Sequence, residues 1–287
     1  MTSLYKTPQS KQAILDLYQA KLESLDIDYT EQDVNTQFGL SHVIITGDAS
    51  KPPLMLVHGS NGCAPIALDV YPNLARHYQV FAVDVIAQPN KSAETRPSMT
   101  DNSYGIWMNQ VIDALGLDEL TLVGFSLGGF IIWKTLLHNE SKIKQAFLIA
   151  PVGIVSGNPL RAMLEIFLPM KRFIRTQNPR DLDRVLDALF SERDDFAAPF
   201  LEKVLPDFDL DFSPIPLIKE KETRRISTPL TVIAAEQDIL GPGKKLLRRA
   251  EKLFPSLKQT DLLEGSKHVQ NVQDNQRVED LILNSLK

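Results

Sequence analysis

Short apolar runs recur along the middle and end of the chain, each separated from the next by room for a helix. "LMLV" (54–57), "VFAVDV" (80–85), "LTLVG" (120–124), "AFLIA" (146–150), "LTVIAA" (230–235) and "KQTDLL" (258–263) have the length and composition of strands. Helical spacing follows them near 67–77, near 103–115, up to about His138, between the last two strands, and through the closing "VQDNQRVEDLILNSL". Ahead of this series, Thr7-Pro8 reads as an N-cap with proline at the first helical position. That helix carries Ile14, Leu15, Tyr18, Leu22 and Leu25 on one face. "DVNTQF" and "SHVIIT" flank Gly39 as a hairpin. Strands that alternate with helices predict βαβ units, hence an α/β fold with an eight-stranded, mostly parallel sheet and helices on both faces.

One stretch breaks the alternation. From 153 to 225 no strand of comparable quality occurs, and "NPLRAMLEIFLPMKRFI", "DLDRVLDALF" and "APFLEKVL" read as amphipathic helices divided by prolines. The expected organisation is a core of 1–152 and 226–287 with a helical cap, or lid, of 153–225 inserted after the sixth strand.

Composition narrows the functional classes. The chain has 287 residues, 43% hydrophobic and 23% charged, and a net charge of −5, with no basic footprint for nucleic acid. No apolar run approaches the roughly 18 residues of a membrane span, so no membrane partner is expected. "MTSLYKTPQSKQ" lacks a signal-peptide pattern. The single cysteine, Cys63, cannot form an intrachain bridge, which suits a reducing compartment. A cytoplasmic location is the expectation, and the sequence leaves monomer or homo-oligomer open.

The chemistry concentrates in "LTLVGFSLGGFII", which places Gly124, Gly128 and Gly129 around Ser126 in a buried stretch where each glycine costs roughly 1 kcal/mol relative to alanine. Gly124-Phe125-Ser126-Leu127-Gly128 has the Gly-x-Ser-x-Gly form of a nucleophile elbow, and its flanks supply the strand and helix that the motif requires. Neither a dinucleotide fingerprint nor a Gly-Lys-Ser/Thr phosphate loop fits this spacing, and no cofactor is expected. A serine nucleophile needs a base, and the base an orienting acid. Asp238 follows the strand at 230–235 and His268 follows the last strand, giving the chain order Ser, Asp, His. The predicted roles are Ser126 as nucleophile, His268 as general base then acid, and Asp238 as orienting acid, with Glu236 the competing acid. No His, Cys or carboxylate cluster has metal-ligand spacing, so no metal is expected.

An oxyanion needs two or more N–H donors. The Leu127 amide is one candidate, and "VHGSNGCAP" supplies the other, with the Ser60 amide ahead of Asn61. His58 reads as a hydrogen-bonding residue of that loop and Cys63 as a packed side chain, while His42 and His77 read as surface residues. In the cap, Met163, Phe167 and Met170 either line a substrate pocket or serve the core.

Taken together, these residues resemble the α/β-hydrolase superfamily, in its Ser-His-Asp branch of bacterial carboxylesterases and lipase-like hydrolases. The likeness spans about 33–152 and 226–287 and rests on His58-Gly59, Gly124 to Gly128, Asp238 and His268. It departs at "DVIAQPNKS", where many members carry Asp-x-x-Gly-x-Gly-x-Ser and this chain has Ala87 and Pro89. The form looks like the Asp-x-x-Gly-x-x-x-Lys-Ser variant of some bacterial carboxylesterases. The resemblance implies a serine hydrolase cleaving small-molecule carboxylic esters through an acyl-enzyme. The same triad also serves thioesterases, carbon–carbon bond hydrolases, acyltransferases and cofactor-free peroxidases, and a ligand-binding receptor with little turnover is the rival outside catalysis.

Overall fold

Each buried strand alternates its side chains between two helical layers, and this alternation organises the molecule. The computed structural model describes residues 3–286. In chain order the elements are α1 (Pro8–Ser24), β1 (Tyr29–Thr36), β2 (Gly39–Thr46), β3 (Pro53–Val57), α2 (Ala64–Val70), β4 (Gln79–Val83), α3 (Ser103–Ala114), β5 (Leu120–Phe125), α4 (Leu127–His138) and β6 (Ile143–Ile149). The chain then runs through α5 (Pro159–Ala162), α6 (Leu168–Thr176), α7 (Pro179–Leu189), α8 (Ala197–Asp207) and α9 (Glu220–Thr223). It closes with β7 (Leu230–Ala235), α10 (Gly243–Leu253), β8 (Leu257–Leu263) and α11 (Val272–Asn284). The eight strands form one sheet in the order β1-β2-β4-β3-β5-β6-β7-β8. β2 is antiparallel to both its neighbours, β1 and β4, and every pairing from β4 through β8 is parallel.

Met55 and Val57 of β3, Phe81 and Val83 of β4, and Leu122 of β5 face a core shared with α3, α4 and α10. Leu54, Leu56, Val80, Ala82 and Val123 face the opposite core, with α1, α2, α11 and the helices between β6 and β7. Period-two alternation with both faces apolar is what a strand between two helical layers requires. Among the described residues no helix is long and apolar enough to cross a membrane.

Several sequence expectations shift on inspection. The helix expected near 67–77 is instead α2, begun by Pro65 in its first turn, with a separate 3₁₀ turn at Leu74–Arg76. Pro72 accounts for the break, because it cannot extend the helix before it. The stretch "NPLRAMLEIFLPMKRFI" is helical as expected, and Pro169 inside it does not break the helix. Pro159 to Thr176 is continuously helical, and a π turn at Met163–Phe167 just before Pro169 absorbs the missing N–H bond. His42 is not a surface residue. It is 6% exposed, with Nδ1 2.8 Å from Asp33 Oδ1 and Nε2 2.8 Å from a Glu31 carboxylate oxygen. The edge strand β1 and the ring of Tyr18 on α1 cover it. His77 is exposed as expected.

The loops after β3 and β4 are tied together beneath the carboxyl edge of the sheet. His58 Nδ1–H donates to the Gly59 carbonyl at 2.8 Å, and its Nε2 accepts the Val85 amide at 2.9 Å. Asp84, fully buried, accepts the Ala64 amide that opens α2 and the Lys91 amide, and burial pushes its carboxyl up to about 6. Ser92 donates to the Asp84 carbonyl and accepts the His42 amide. Ala87 takes φ +59°, the left-handed conformation that the family glycine at this position would adopt freely. Its N–H donates to Ala93 O at 2.8 Å, which holds the turn in place.

Burial lowers the His58 pKa from 6.5 to about 4, so the folded chain keeps this ring neutral while the unfolded chain protonates it first. The stability it contributes is present above pH 6.5 and is lost as pH falls through 6.5 toward 4. At pH 5 the expected loss is about 2 kcal/mol. His58→Gln should lower stability at pH 7 and show a correspondingly smaller further loss between pH 7 and 5. Denaturant titrations at the two pH values check this, and equal losses in both proteins would contradict it.

Candidate active site

Ser126 sits at φ 53° and ψ −110° between the end of β5 and the first residue of α4. A non-glycine residue in such a conformation stores on the order of 1–3 kcal/mol and persists only where its surroundings fix it. Here its N–H donates to Ile149 O at 2.9 Å, and its carbonyl accepts from Phe130 and Val152. The flanking glycines are required sterically. A Cβ on Gly124 would lie 2.5 Å from the Gly128 carbonyl carbon, and one on Gly128 would lie 2.1 Å from Val57 O. The turn therefore closes only with hydrogen at both positions, and it aims the serine hydroxyl out of the sheet's carboxyl edge.

The structure brings the three predicted side chains together. His268 Nε2 lies 2.9 Å from Ser126 Oγ, and His268 Nδ1 lies 2.7 Å from Asp238 Oδ2. Ser126, Asp238 and His268 are 4%, 3% and 5% exposed, so both hydrogen bonds are sheltered from competing water. The second oxygen of Asp238 accepts the Leu240 amide at 2.7 Å, which orients the carboxylate. Glu236 is engaged elsewhere, with Lys244 Nζ at 2.6 Å and the Gly265 amide at 3.0 Å. Those two partners hold its carboxyl below the usual range.

The loop after β3 abuts the serine. A Cβ on Gly59 would fall 2.9 Å from the Phe125 ring and 3.3 Å from Ser126 Cβ. Asn61 N–H donates to Gln88 Oε1 at 2.7 Å, which removes it as an open donor. Among the described residues neither the Ser60 amide nor the Leu127 amide has a protein partner. Backbone amides without a protein partner are the kind of donor that can receive negative charge developing on a carbonyl oxygen. Cys63 is buried at the entrance to α2, and burial followed by the charge of Asp84 pushes its thiol well up, away from the reactive thiolate.

Two residues escaped the sequence reading. Phe125 stands with its ring centroid 5.2 Å from that of His268 and walls the imidazole. Its place beside the nucleophile in the elbow was the available signal. Gln88 fixes the Asn61 turn from within the departing "DVIAQPNKS" loop, and no sequence signal marks it.

The three residues of the insertion do not form one set. Met170 is 9% exposed and belongs to the core with Ile166 and Phe173. Phe167 stands edge-on to Phe212 at 6.4 Å, and Met163 is 43% exposed.

Known proteins agree with this architecture. A family model for the alpha/beta hydrolase fold matches residues 52–213. The "Uncharacterized carboxylesterase nap" of Bacillus subtilis is 26% identical over 255 residues, 82% of this chain and 79% of that protein. "Carboxylesterase YbfK" of the same organism is 36% identical over 152 residues, half of each chain. Among solved structures, naproxen esterase (carboxylesterase NP) from Bacillus subtilis superposes with a TM-score of 0.85 at 19% identity, covering 98% of this chain and 100% of that one. Carboxylesterase CesB (YbfK) gives 0.82 at 21% identity, covering 97% and 98%. The structural likeness speaks to fold, and the family match spans more than half of the sequence. The chain belongs to the α/β-hydrolase fold family and resembles its bacterial carboxylesterases.

Proposed function

We propose that this protein is a serine hydrolase that cleaves carboxylic esters of small molecules through an acyl-enzyme on Ser126. The observation that carries the reading is the relay in which one imidazole spans Asp238 at 2.7 Å and Ser126 at 2.9 Å. With Asp238 accepting a hydrogen bond from Nδ1–H, the neutral ring keeps that proton and presents its Nε2 lone pair to the serine hydroxyl. As Oγ attacks the ester carbonyl, His268 takes the hydroxyl proton, and the carbonyl oxygen becomes an oxyanion facing the Ser60 and Leu127 amides. Collapse breaks the carbon–oxygen bond, and the imidazolium gives its proton to the departing alcohol. Water then repeats the sequence on the acyl-enzyme, releasing the acid and restoring Ser126.

The helices of 153–225 serve in this reading as a cap over the carboxyl edge, with 1–152 and 226–287 as the core. The position of the insertion supports it: Gly157 N–H donates to Leu240 O at 2.7 Å, on the loop that carries Asp238. Met163 and Phe167 would meet substrate from the cap, while Met170 would set the cap's packing beneath them. The names of the relatives support an ester substrate, and the intact relay favours turnover over simple ligand binding.

A fluorophosphonate probe should label the wild-type protein and fail to label Ser126→Ala, read by in-gel fluorescence. Asp238→Asn should lower kcat on p-nitrophenyl esters by up to about 10⁴-fold, the loss expected when the orienting acid no longer selects the tautomer. Labelling that survives Ser126→Ala would overturn the nucleophile. The large loss appearing in Glu236→Gln instead would overturn the acid.

A further inference from the structure

The imidazole of His268 is held by core residues, but the backbone that carries it is not. β8 ends at Leu263, α11 starts at Val272, and the loop between them turns at Gly265 with φ +70°. Its first half is tied to the core: Ser266 N–H donates to Leu263 O, and Gln237 N–H to Ser266 O. From Lys267 onward the partners change. Val269 N–H donates to Leu189 O at 2.8 Å, and Ser191 N–H donates to Val269 O at 2.9 Å, forming a parallel bridge between Phe190 and Val269. The Lys267 amide donates to Ser191 Oγ at 2.8 Å. That hydroxyl also lies 3.2 Å from Ser266 Oγ, and Lys267 Nζ reaches the Asp187 carbonyl at 2.6 Å. Both neighbours of His268 in the chain are thus fastened to the insertion, at the point where it leaves α7.

We infer that Ser191 is a positioning residue for His268: with the Leu189–Ser191 segment it clamps the backbone on either side of the imidazole, so that the inserted helices help set the base against Ser126. This inference rests on the Ser–His–Asp reading above. A ring with its two nitrogens committed to Ser126 and Asp238 tolerates little backbone drift. A displacement of about 1 Å in a catalytic group can remove about 10²-fold of the rate. The Ser191 hydroxyl suits this place because it accepts the Lys267 amide and still has a proton to give to Ser266. The inserted helices consequently cannot lift at the α7 end without drawing the His268 backbone with them.

The test is Ser191→Ala, with Ser191→Thr as the conservative control that keeps the hydroxyl. Fluorophosphonate titration should count the same number of reactive sites in all three proteins. On a p-nitrophenyl ester, kcat per titrated site should fall about tenfold in Ser191→Ala with KM within about twofold, as for a group that acts in the transition state. Proton NMR should show the downfield Nδ1–H of His268 shifted or broadened in Ser191→Ala, and Ser191→Thr should restore both readouts. Unchanged kcat and an unchanged His268 resonance in Ser191→Ala would overturn the inference, as would failure of threonine to restore them. A wild-type protein that neither labels nor turns over esters would instead overturn the hydrolase reading, and the His268 resonance would still decide the clamp.

Discussion

A serine with positive φ, wedged between a strand and a helix that leave no room for side chains at Gly124 and Gly128, is the constraint on which the rest of the site depends. Such a turn is unfavourable in isolation and forms because β5 is locked between β3 and β6 and because α4 lies in a core rich in aromatic residues. Phe130, Trp133 and Tyr104 pack edge to face around the first turns of α4, so the helix cannot slide to relax the serine. The stability of the fold thereby maintains the strain, and the strain directs one hydroxyl toward the edge where the loops of β3, β7 and β8 converge.

That convergence follows from topology more than from local sequence. Parallel strands deliver their carboxyl ends to one edge, and Ser126, Asp238 and His268 each lie just past such an end, on β5, β7 and β8. Local interactions then finish the alignment. The Leu240 amide turns Asp238, Phe125 walls His268, and the His58 ring joins the loop after β3 to the loop after β4. The neutrality of His58 belongs to this scaffold: a charged ring could not accept the Val85 amide.

Most of the core was legible in the sequence because buried strands announce themselves as short β-branched and aliphatic runs, and the elbow because its glycines are expensive anywhere else. What could not be read depends on contacts between distant residues. Burial of His42 follows from an edge strand and α1 closing over it, and one strand's own alternation carries no information about a covering layer. The π turn that carries the helix through Pro169 is a local detail that proline rules alone do not anticipate. The Asn61 amide is occupied by Gln88, 27 residues further on, a contact that the loop's own sequence does not announce. The fastening of the β8–α11 loop to the end of α7 joins segments roughly 78 residues apart, partly through a backbone bridge that any sequence supplies and partly through the Ser191 hydroxyl, which no local pattern marks.

The proposed hydrolase function requires that one strained serine, served by one imidazole, form and break a covalent bond to an acyl group. Intact-protein mass spectrometry after mixing with an activated ester and quenching in acid within the first turnover, followed by peptide mapping, observes that bond. A single added acyl mass is expected on the peptide containing Ser126, appearing before steady state and decaying as substrate is exhausted. Steady ester turnover with no adduct, or with the acyl group on another residue, would contradict it.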